Sequence, residues 1–303
     1  MTTPVDLREK EKALTISNRY IIEQKIGNGK FGFIYRGKNI KTGEPVAIKL
    51  EPKCSQFRVL KYETTVLNYL SHKKCKCVPP VYWYGCFRNN ICLVIPYYNG
   101  GSLHEFTCFD NGVLNDIMVQ MIHIMEDIHT VGVIHRDIKP HNFMFHGSQI
   151  YIIDFGMSVF ESNLTDKYFT GCNSENIMGT PNYISYFIHE GWEPCKRDDL
   201  ISLGYIFLYL QMKTLPWFSI PPENIISSNL AKTNIQHPNN QYVRRKKEWV
   251  VLEKWVLSKS AGAGAGAGSN EHKICKFLDY CYKMNSTTKP YYYGIYSCFL
   301  GGG

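Results

Sequence analysis

The feature that most constrains this sequence is a polar run followed, after a short apolar strand, by an acidic triplet. The run is HRDIKPHN at residues 135–142, the strand covers Ile150 to Ile153, and the triplet is Asp154-Phe155-Gly156. Asp137 can orient a hydroxyl group and accept its proton, while Lys139 can steady a transferring phosphoryl group. Asn142 and Asp154 offer the hard oxygen ligands that magnesium prefers when it bridges phosphates. The joint pattern favours phosphoryl transfer over the alternative that these residues only cap turns.

Two further motifs lie nearer the N-terminus. The glycine-rich stretch from Gly27 to Gly32 separates two strand-like segments, and glycines let a backbone approach phosphates closely. On its own, this stretch is also compatible with a flexible hairpin. Because a strand follows it where a dinucleotide-binding fold requires a helix, the sequence argues against a dehydrogenase. The apolar run that ends in Lys49 supports a phosphate site, since Lys49 can pair with Glu63 on the next helix.

Together these motifs resemble those of eukaryotic-type protein kinases in order and spacing. A lysine two residues after Asp137 is the pattern of serine/threonine kinases, and Gly179-Thr180-Pro181 resembles the turn whose threonine bridges the catalytic aspartate and lysine. The Ala-Pro-Glu triplet that most kinases carry after this turn is missing. From Tyr20 to Leu300 the chain is similar to the casein kinase I group, with the vaccinia-related kinases as neighbours. The shared elements are VAIKLEP at 46–52, RDDL at 197–200, SLGY at 202–205, LPW at 215–217 and FLDYCYKMNSTTKPYYYGIYSCF at 277–299.

The resemblance implies an α+β, bilobal protein-kinase fold, with a small N-terminal antiparallel sheet and one helix, and a larger, mainly helical C-terminal lobe. It implies ATP and Mg2+ as cofactors, with Asn142 and Asp154 as metal ligands, and Asp199 as the residue that ties the catalytic loop to a central helix. The implied catalytic residues are Lys49, Glu63, Asp137, Lys139, Asn142 and Thr180. The implied nucleotide-binding residues are Ile26, Gly27, Asn28, Gly29, Lys30, Phe31, Gly32, Ile34, Ala47, Lys49, Ile95, Pro96, Tyr98, Met144 and Asp154.

Within that set, Ile95 corresponds to the gatekeeper, and Pro96 to Tyr98 to the hinge whose backbone meets the adenine edge. Pro96 lacks an N–H, but its carbonyl can accept from adenine, and Tyr98 supplies the backbone donor. We therefore expect the adenine pocket to be retained despite the proline at position 96. Its implied apolar walls are Ile34, Ala47 and Met144.

Departures from the casein kinase I pattern concern substrate choice. Members of that group favour acidic or already phosphorylated substrates, helped by a basic cluster. Asn182 stands where the group has an arginine, and Val159 where it often has a lysine. Arg136 and Lys247 remain as candidate cations for a substrate anion. Since each charge-assisted hydrogen bond contributes about 1.5 to 3 kcal/mol, we expect acidic protein substrates but weakened recognition of a phosphorylated one.

The residue pattern also predicts the organisation of the chain. Residues 1–18 are assigned to an N-terminal extension, 19–98 to the N-lobe and hinge, and 99–300 to the C-lobe. Helices are predicted near Phe57 to Leu70, over the apolar positions 114, 117, 118, 121, 122, 125 and 128, and over the apolar segment 200–210. The alternation SAGAGAGAGS at 260–269 indicates an engineered linker in place of a native loop, and residues 301–303 an added tail.

Composition narrows the class of protein. The 303 residues carry a formal net charge of +8 and eleven cysteines without a disulfide framework, and no long apolar stretch. We expect a soluble, monomeric protein of the cytoplasm or nucleus. The richness in Asn, Lys and Tyr suggests an AT-rich genome, such as that of a large DNA virus or a parasite. If the chain is viral, we expect it in the host cell or the virion. The basic run 244–247 fits a solvated helix face as well as a nuclear-import or phosphate-binding patch. Because no groove-reading motif or stacking platform accompanies it, nucleic acid is not expected as a primary ligand.

The main alternative is a pseudokinase scaffold that binds nucleotide or partners without catalysis. Pseudokinases usually lose the lysine, the catalytic aspartate or the metal aspartate, whereas Lys49, Asp137 and Asp154 are all present. Casein kinase I relatives are generally active without a phosphate on the activation loop, so we expect the same here. The hydroxyl residues of the corresponding segment, 157–178, are Ser158, Ser162, Thr165, Thr170 and Ser174.

Overall fold

A computed structural model describes residues 14–29, 32–56, 58–106, 109–163, 176–177, 179–218, 233–234, 238–260 and 268–300. The chain divides into two units. The first comprises Met1–Tyr69 and Pro79–Tyr98, and the second comprises Leu70–Val78 and Asn99–Gly303. Residues 70–78 group with the second unit, whereas the sequence pattern assigns them to the N-lobe and hinge, residues 19–98.

The first unit contains a six-stranded sheet in which every pair of neighbours is antiparallel. The strand order is β1-β2-β3-β4-β6-β5, so strands adjacent in sequence are mostly adjacent in space, as short connections allow. The bounds are β1 Thr15–Ile16, β2 Tyr20–Gly29, β3 Gly32–Asn39, β4 Pro45–Pro52, β5 Trp83–Phe87 and β6 Asn90–Pro96.

The sheet presents two chemically different faces because successive side chains of a strand alternate in direction. One face forms a buried apolar cluster of Ile16, Tyr20, Ile22, Tyr35, Val46, Ile48, Leu50, Cys92 and Val94. Residues at the intervening positions, such as Ala47 and Lys49 on β4 and Ile95 on β6, point to the opposite face. The cluster thereby fixes the register that determines which side chains the sheet turns away from its core.

Helix α1 (Val59–His72) begins in the first unit and is capped by a side chain from the sheet. Glu51 at the end of β4 accepts from the backbone N–H of Val59 at 3.2 Å and of Leu60 at 2.9 Å. The helix has no acidic residue of its own in its first turn. A carboxylate at this end satisfies free N–H groups and complements the helix dipole, which explains why α1 begins two residues after the predicted start at Phe57.

The second unit is mainly helical. Among the described residues its helices are α2 Asn111–Thr130, α3 Tyr186–His189, α4 Lys196–Met212, α5 Pro238–Lys246, α6 Trp249–Ser260, α7 Asn270–Lys283 and α8 Tyr292–Tyr296. The helix predicted from the apolar spacing is confirmed as α2, and all seven of those positions are buried. The segment that is apolar on all sides is confirmed as α4, a buried helix that packs against α2 and α7.

In the part of the second unit that the structure describes, three short antiparallel strand pairs accompany these helices. They are β7 Val133–Ile134 with β10 Val159–Phe160, β8 Phe143–His146 with β9 Gln149–Ile152, and β11 Asn176–Ile177 with β12 Thr233–Asn234. The β8–β9 hairpin matters most for function. Its ends lie together, since the backbone N–H of Ile153 donates to the carbonyl of Asn142 at 2.9 Å, and Asp154 follows directly. The hairpin thus brings the two predicted metal ligands to one end of a strand pair.

An antiparallel sheet with one helix, followed by a mainly helical part, confirms the predicted α+β class. Within the described ranges, no helix has the length and apolar character needed to cross a bilayer.

Candidate active site

The centre of the candidate site is the carboxylate of Asp137, which is 7% exposed. Thr180 donates its hydroxyl to Oδ1 at 2.7 Å, and the Lys139 ammonium donates to Oδ2 at 2.6 Å. Lys139 Nζ also donates to Thr180 Oγ1 at 3.4 Å. The amide nitrogen of Asn142 donates to the Asp137 carbonyl oxygen at 2.8 Å and to Oδ2 at 3.3 Å. The structure therefore brings together four of the predicted catalytic residues, and both oxygens of the carboxylate have fixed partners.

Thr180 reaches Asp137 because of the glycine that precedes it. Gly179 has φ +111°, a conformation that side chains with a Cβ rarely adopt. A Cβ at this position would lie 2.6 Å from Ile184 Cγ2 and 3.0 Å from the carbonyl oxygen of Arg136. The glycine thus permits the close approach of the turn to the loop that carries Asp137.

Asp199 on α4 fixes the backbone of the loop that carries Asp137. Its carboxylate accepts from the backbone N–H of His135 at 2.7 Å and of Arg136 at 2.9 Å. His129 Nε2 donates to the same carboxylate at 2.9 Å, and the hydroxyl of Tyr292 lies 2.5 Å from His129 Nδ1. Burial acts to raise the pKa of Asp199, but the hydrogen bonds and charges of His129 and His135 together outweigh it, and the pKa is lowered. The anionic form is therefore favoured inside the protein.

Two residues of the site have left-handed backbone conformations, Arg136 with φ +71° and Asp154 with φ +69°. Such conformations cost about 1 to 3 kcal/mol in residues other than glycine and persist where surrounding contacts enforce them. For Arg136 the enforcing contact is its N–H bond to Asp199. Next to Asp154, the buried ring of Phe155 packs edge-on against His135, with centroids 4.9 Å apart. Burial lowers the pKa of His135, despite the carboxylates nearby.

In the first unit, Lys49 and Glu63 form the predicted ion pair, with Nζ 2.6 Å from Oε1. Both side chains are buried, and Glu63 is held by α1, whose start Glu51 caps. A buried pair needs good geometry because both charges lose their hydration. The pair fixes the position of the lysine head on the sheet face opposite the apolar cluster.

The sequence that forms this site also matches a known protein family. The model described as protein kinase domain matches residues 20–292, which is most of the chain. The matched region contains the Lys49–Glu63 pair and the loop around Asp137. The chain is a member of the protein kinase family. The predicted kinase fold, with a sheet-containing N-terminal part and a helical C-terminal part, is thereby confirmed, and the family's phosphoryl donor is ATP, typically with a divalent metal.

The donor set of the kinase domain fits a hard divalent metal. Asn142 uses its amide nitrogen on Asp137, which leaves the amide oxygen as the kind of ligand that Mg2+ prefers. Asp154 supplies a carboxylate at the same end of the β8–β9 hairpin. In the part of the chain that the structure describes, no group of three or more His, Cys, Asp or Glu is assembled for a metal. Two protein ligands suffice where substrate phosphates and water complete the coordination.

Four of the nucleotide-binding residues predicted in the first unit share one sheet face, namely Ile34, Ala47, Lys49 and Ile95. Ile34 on β3 pairs with Lys49, and Ala47 pairs with Ile95, so their side chains point to the side opposite the apolar cluster. β6 ends at Pro96, and Tyr98 is buried. The second unit holds the remaining predicted wall residue, Met144, which lies on β8 and bridges to Ser102.

The described residues of the glycine-rich stretch lie at the end of β2 and at the start of β3. Gly27 pairs with Ile34, Asn28 with Phe33 and Gly29 with Gly32, while the register shifts at Ile26, which is exposed. A Cβ on Gly32 would collide with the backbone carbonyl of Leu50, so this glycine is required by the sheet itself. Lys30 and Phe31, also predicted to bind nucleotide, lie outside the described residues.

The structure contradicts the assignment of Lys247 to substrate-anion binding. Its side chain is fully buried, and Nζ donates to the carbonyl oxygens of Pro181 and Ile184. Arg244, in the same basic run, forms an ion pair with Glu190 at 3.0 Å. The run 244–247 is therefore partly built into the fold and is not a fully solvated face. The burial of Lys247 depends on how the second unit packs, which the sequence does not show.

Arg136, the other predicted anion-binding residue, lies in the second unit beside a small cavity that Glu193 and Trp192 also line. Burial raises the pKa of Glu193, and the positive charge of Arg136 acts against this shift. Arg136 therefore already has a carboxylate within electrostatic range. The two positions where the casein kinase I pattern has cations, Val159 and Asn182, carry none.

Three residues that support the site are not predicted by the sequence. Glu51, the cap of α1, was recognised only as part of a shared motif. His129 lies on the buried stripe of α2, where helical spacing from Met125 signals its burial but not its bond to Asp199. Trp217 donates its indole N–H to the carbonyl of Asn182 at 3.0 Å. Such a contact depends on which segments pack together, and no local pattern reveals it.

Proposed function

We propose that this kinase domain is catalytically active and transfers the γ-phosphoryl group of ATP to serine or threonine hydroxyls of proteins, in the manner of casein kinase I enzymes. The observation that carries the proposal is the convergence of Lys139 and Thr180 on the carboxylate of Asp137. A scaffold without catalysis would have no need to orient both oxygens of a buried carboxylate. The lysine and threonine also form the pair on which the serine/threonine assignment rests.

In this mechanism Asp137 receives the acceptor hydroxyl and takes its proton as the new bond to phosphorus forms. Thr180 and Asn142 hold the carboxylate in place, so that it is already oriented for the reaction and does not need to reorganise. Lys139 offers positive charge to the transferring phosphoryl group, and Lys49, held by Glu63, offers charge to the other phosphates. A divalent metal held by Asn142 and Asp154 would neutralise phosphate charge when bound.

The direct test compares phosphate transfer by the wild type and by Asp137→Asn, with radiolabelled ATP, Mg2+ and an acidic protein as acceptor. Loss of a general base lowers the rate by about 100-fold to 10,000-fold, so the variant should transfer almost nothing. ATP binding, measured separately by calorimetry, should change little. If the wild type transfers no more phosphate than the variant, the protein is a pseudokinase and the proposal fails.

We further propose that activity does not require phosphorylation of the activation segment. Three observations support this: Asp199 fixes the catalytic loop, Glu193 lies near the Arg136 cation, and Ser158 is buried with its hydroxyl donating to the Phe155 carbonyl. Ser162 lies within the described 3-10 turn Glu161–Asn163, whereas Thr165, Thr170 and Ser174 lie outside the described residues.

The corresponding prediction is that phosphatase treatment leaves the rate of transfer within about twofold of the untreated sample, since no loop phosphate is needed to order Arg136. Mass spectrometry of the treated protein verifies that the phosphates are gone. Complete loss of activity in the dephosphorylated sample, restored by incubation with an activating kinase, would refute this part of the proposal.

A further inference from the structure

The buried amine of Lys247 lies directly beneath the segment that follows Thr180. It donates to the carbonyl oxygen of Pro181 at 2.8 Å and of Ile184 at 2.6 Å, and lies 3.2 Å from Nε2 of His189. Burial lowers the pKa of Lys247, and burial together with the charge of Lys247 lowers that of His189. Burying an amine costs free energy unless its hydrogen bonds have good geometry. The burial of Lys247 therefore indicates a specific role for its hydrogen bonds.

The same segment is held at two further points. Trp217 donates to the carbonyl of Asn182, so Lys247 and Trp217 together bind three of the four carbonyl groups of residues 181–184. The centroid of the Trp217 ring also lies 4.8 Å from the Lys247 amine nitrogen, within range of a cation–π contact. At the far end, Ser185 donates its hydroxyl to Asp198 of α4 at 2.5 Å.

This segment is continuous with the residue that touches the catalytic carboxylate. The backbone N–H groups of Tyr183 and Ile184 donate to the carbonyl oxygen of Thr180 at 2.8 and 3.1 Å. Thr180 is therefore the first residue of the turn whose carbonyl groups Lys247 binds. A shift of that turn would move the threonine hydroxyl, which lies 2.7 Å from Asp137.

From these contacts we infer that Lys247 is a positioning residue for phosphoryl transfer, which fixes the backbone of residues 181–184 so that Thr180 holds Asp137. The inference rests on the proposed kinase activity. It replaces a role in substrate-anion binding with one that is exerted through backbone carbonyl groups. Lys247 touches neither substrate nor ATP in this account, and its effect on the reaction passes through Thr180.

The test is a double-mutant cycle on kcat for an acidic protein substrate. Lys247→Met nearly keeps the length of the side chain and removes its hydrogen bonds, and Lys246→Met, at the half-buried neighbouring position, is the matched control. We expect Lys247→Met to lower kcat about tenfold in the wild-type background but less than about twofold in a Thr180→Ala background, because the pathway through Thr180 is already broken. The KM for ATP should stay within about twofold, and Lys246→Met should behave like the wild type.

A merely structural lysine gives a different result: Lys247→Met would lower kcat by the same factor in both backgrounds, and this overturns the inference. Hydrogen exchange provides a readout that does not depend on activity. The amides of Tyr183 and Ile184 should exchange faster in Lys247→Met than in the wild type or Lys246→Met. Unchanged exchange also overturns the inference.

Failure of the proposed function is recognised separately. If the wild type transfers no phosphate, the kinase proposal fails, and the exchange measurement alone decides whether Lys247 fixes the segment. If Lys247→Met does not fold, Trp217→Phe replaces it, since it removes the N–H that binds the Asn182 carbonyl and keeps a smaller aromatic ring at this buried position. The same non-additivity with Thr180→Ala and the same faster exchange are then required.

Discussion

At the scale of single residues, Asp137 is fixed through one oxygen by Thr180 and through the other by Lys139. The two partners also touch each other, which makes Thr180 the link between the loop and the turn after Gly179. A hydroxyl that donates to a carboxylate and accepts from an ammonium stabilises both charges at once. The orientation of the Asp137 carboxylate, the base that we propose, therefore depends on the side chain of Thr180, which does not itself react in this proposal.

Replacing Thr180 with valine should lower kcat about tenfold to a hundredfold. The change removes a hydrogen bond to a charged group, worth about 1.5 to 3 kcal/mol, while it nearly keeps the shape of the side chain. Initial rates at saturating ATP measure the effect. Thr180→Ser keeps the hydroxyl and should retain most of the activity; equal losses in both variants would show that the hydroxyl has no such task.

Residues of the candidate site could be predicted where they lie close together within a short stretch of the chain. Asp137, Lys139 and Asn142 lie within six residues, and the spacing alone indicated their association, which the structure shows. Lys247 could not be assigned correctly because its burial depends on segments that are distant in sequence. The same holds for His129, whose partners Asp199 and Tyr292 lie far along the chain.

At the scale of elements, the site rests on α4, which holds Asp199 and packs against α2 and α7. Helical spacing was sufficient to predict α2 and α4, because their apolar positions recur with the helical period or surround the helix. The short strands β7, β10, β11 and β12 have two residues each and leave no such period. Their pairing arises only when the second unit folds.

The contact between α4 and α7 can be tested with a matched pair of glycine substitutions. Gly204→Ala should lower the free energy of unfolding by about 1 to 3 kcal/mol, because the new methyl group would collide with Leu278. Gly112→Ala, at the start of α2 where nothing lies within 4 Å, should raise it by about 0.5 to 1 kcal/mol. Urea unfolding followed by circular dichroism measures both values. A stabilising Gly204→Ala would contradict the packing described.

At the scale of the whole molecule, buried histidines should make stability depend on pH. Burial lowers the pKa of His135 and of His189 below the ordinary value of 6.5. Below about pH 6.5 the unfolded chain therefore binds protons that the folded chain does not, so each histidine contributes stability that is present above this pH and lost as the pH falls.

The slope approaches about 1.4 kcal/mol per pH unit for each histidine. We expect the urea midpoint of the wild type to fall between pH 7.5 and 5.5, and to fall less in His189→Gln, which does not titrate. Equal pH dependence in the two proteins would mean that His189 is not held in its neutral form.

The two units differ in how far the sequence reveals them. The sheet of the first unit was predicted from short β-branched runs, and the helix that begins in this unit from helical spacing. Residues 70–78 join the second unit because packing, and not the local pattern, decides their association; the Cys77 carbonyl, for instance, accepts from the N–H of Ile152. Fold class followed from motifs and periodicity, whereas unit membership needed the structure.

The most direct measurement uses three peptides that are identical except for serine, threonine or tyrosine at the acceptor position, placed within acidic sequence. The wild type with ATP and Mg2+ should phosphorylate the serine and threonine peptides, and Asp137→Asn should phosphorylate none at a comparable rate. Mass spectrometry locates the phosphate on each peptide. Transfer to tyrosine alone, or equal transfer by the wild type and Asp137→Asn, would contradict the assignment of Asp137 as the base of a serine/threonine kinase.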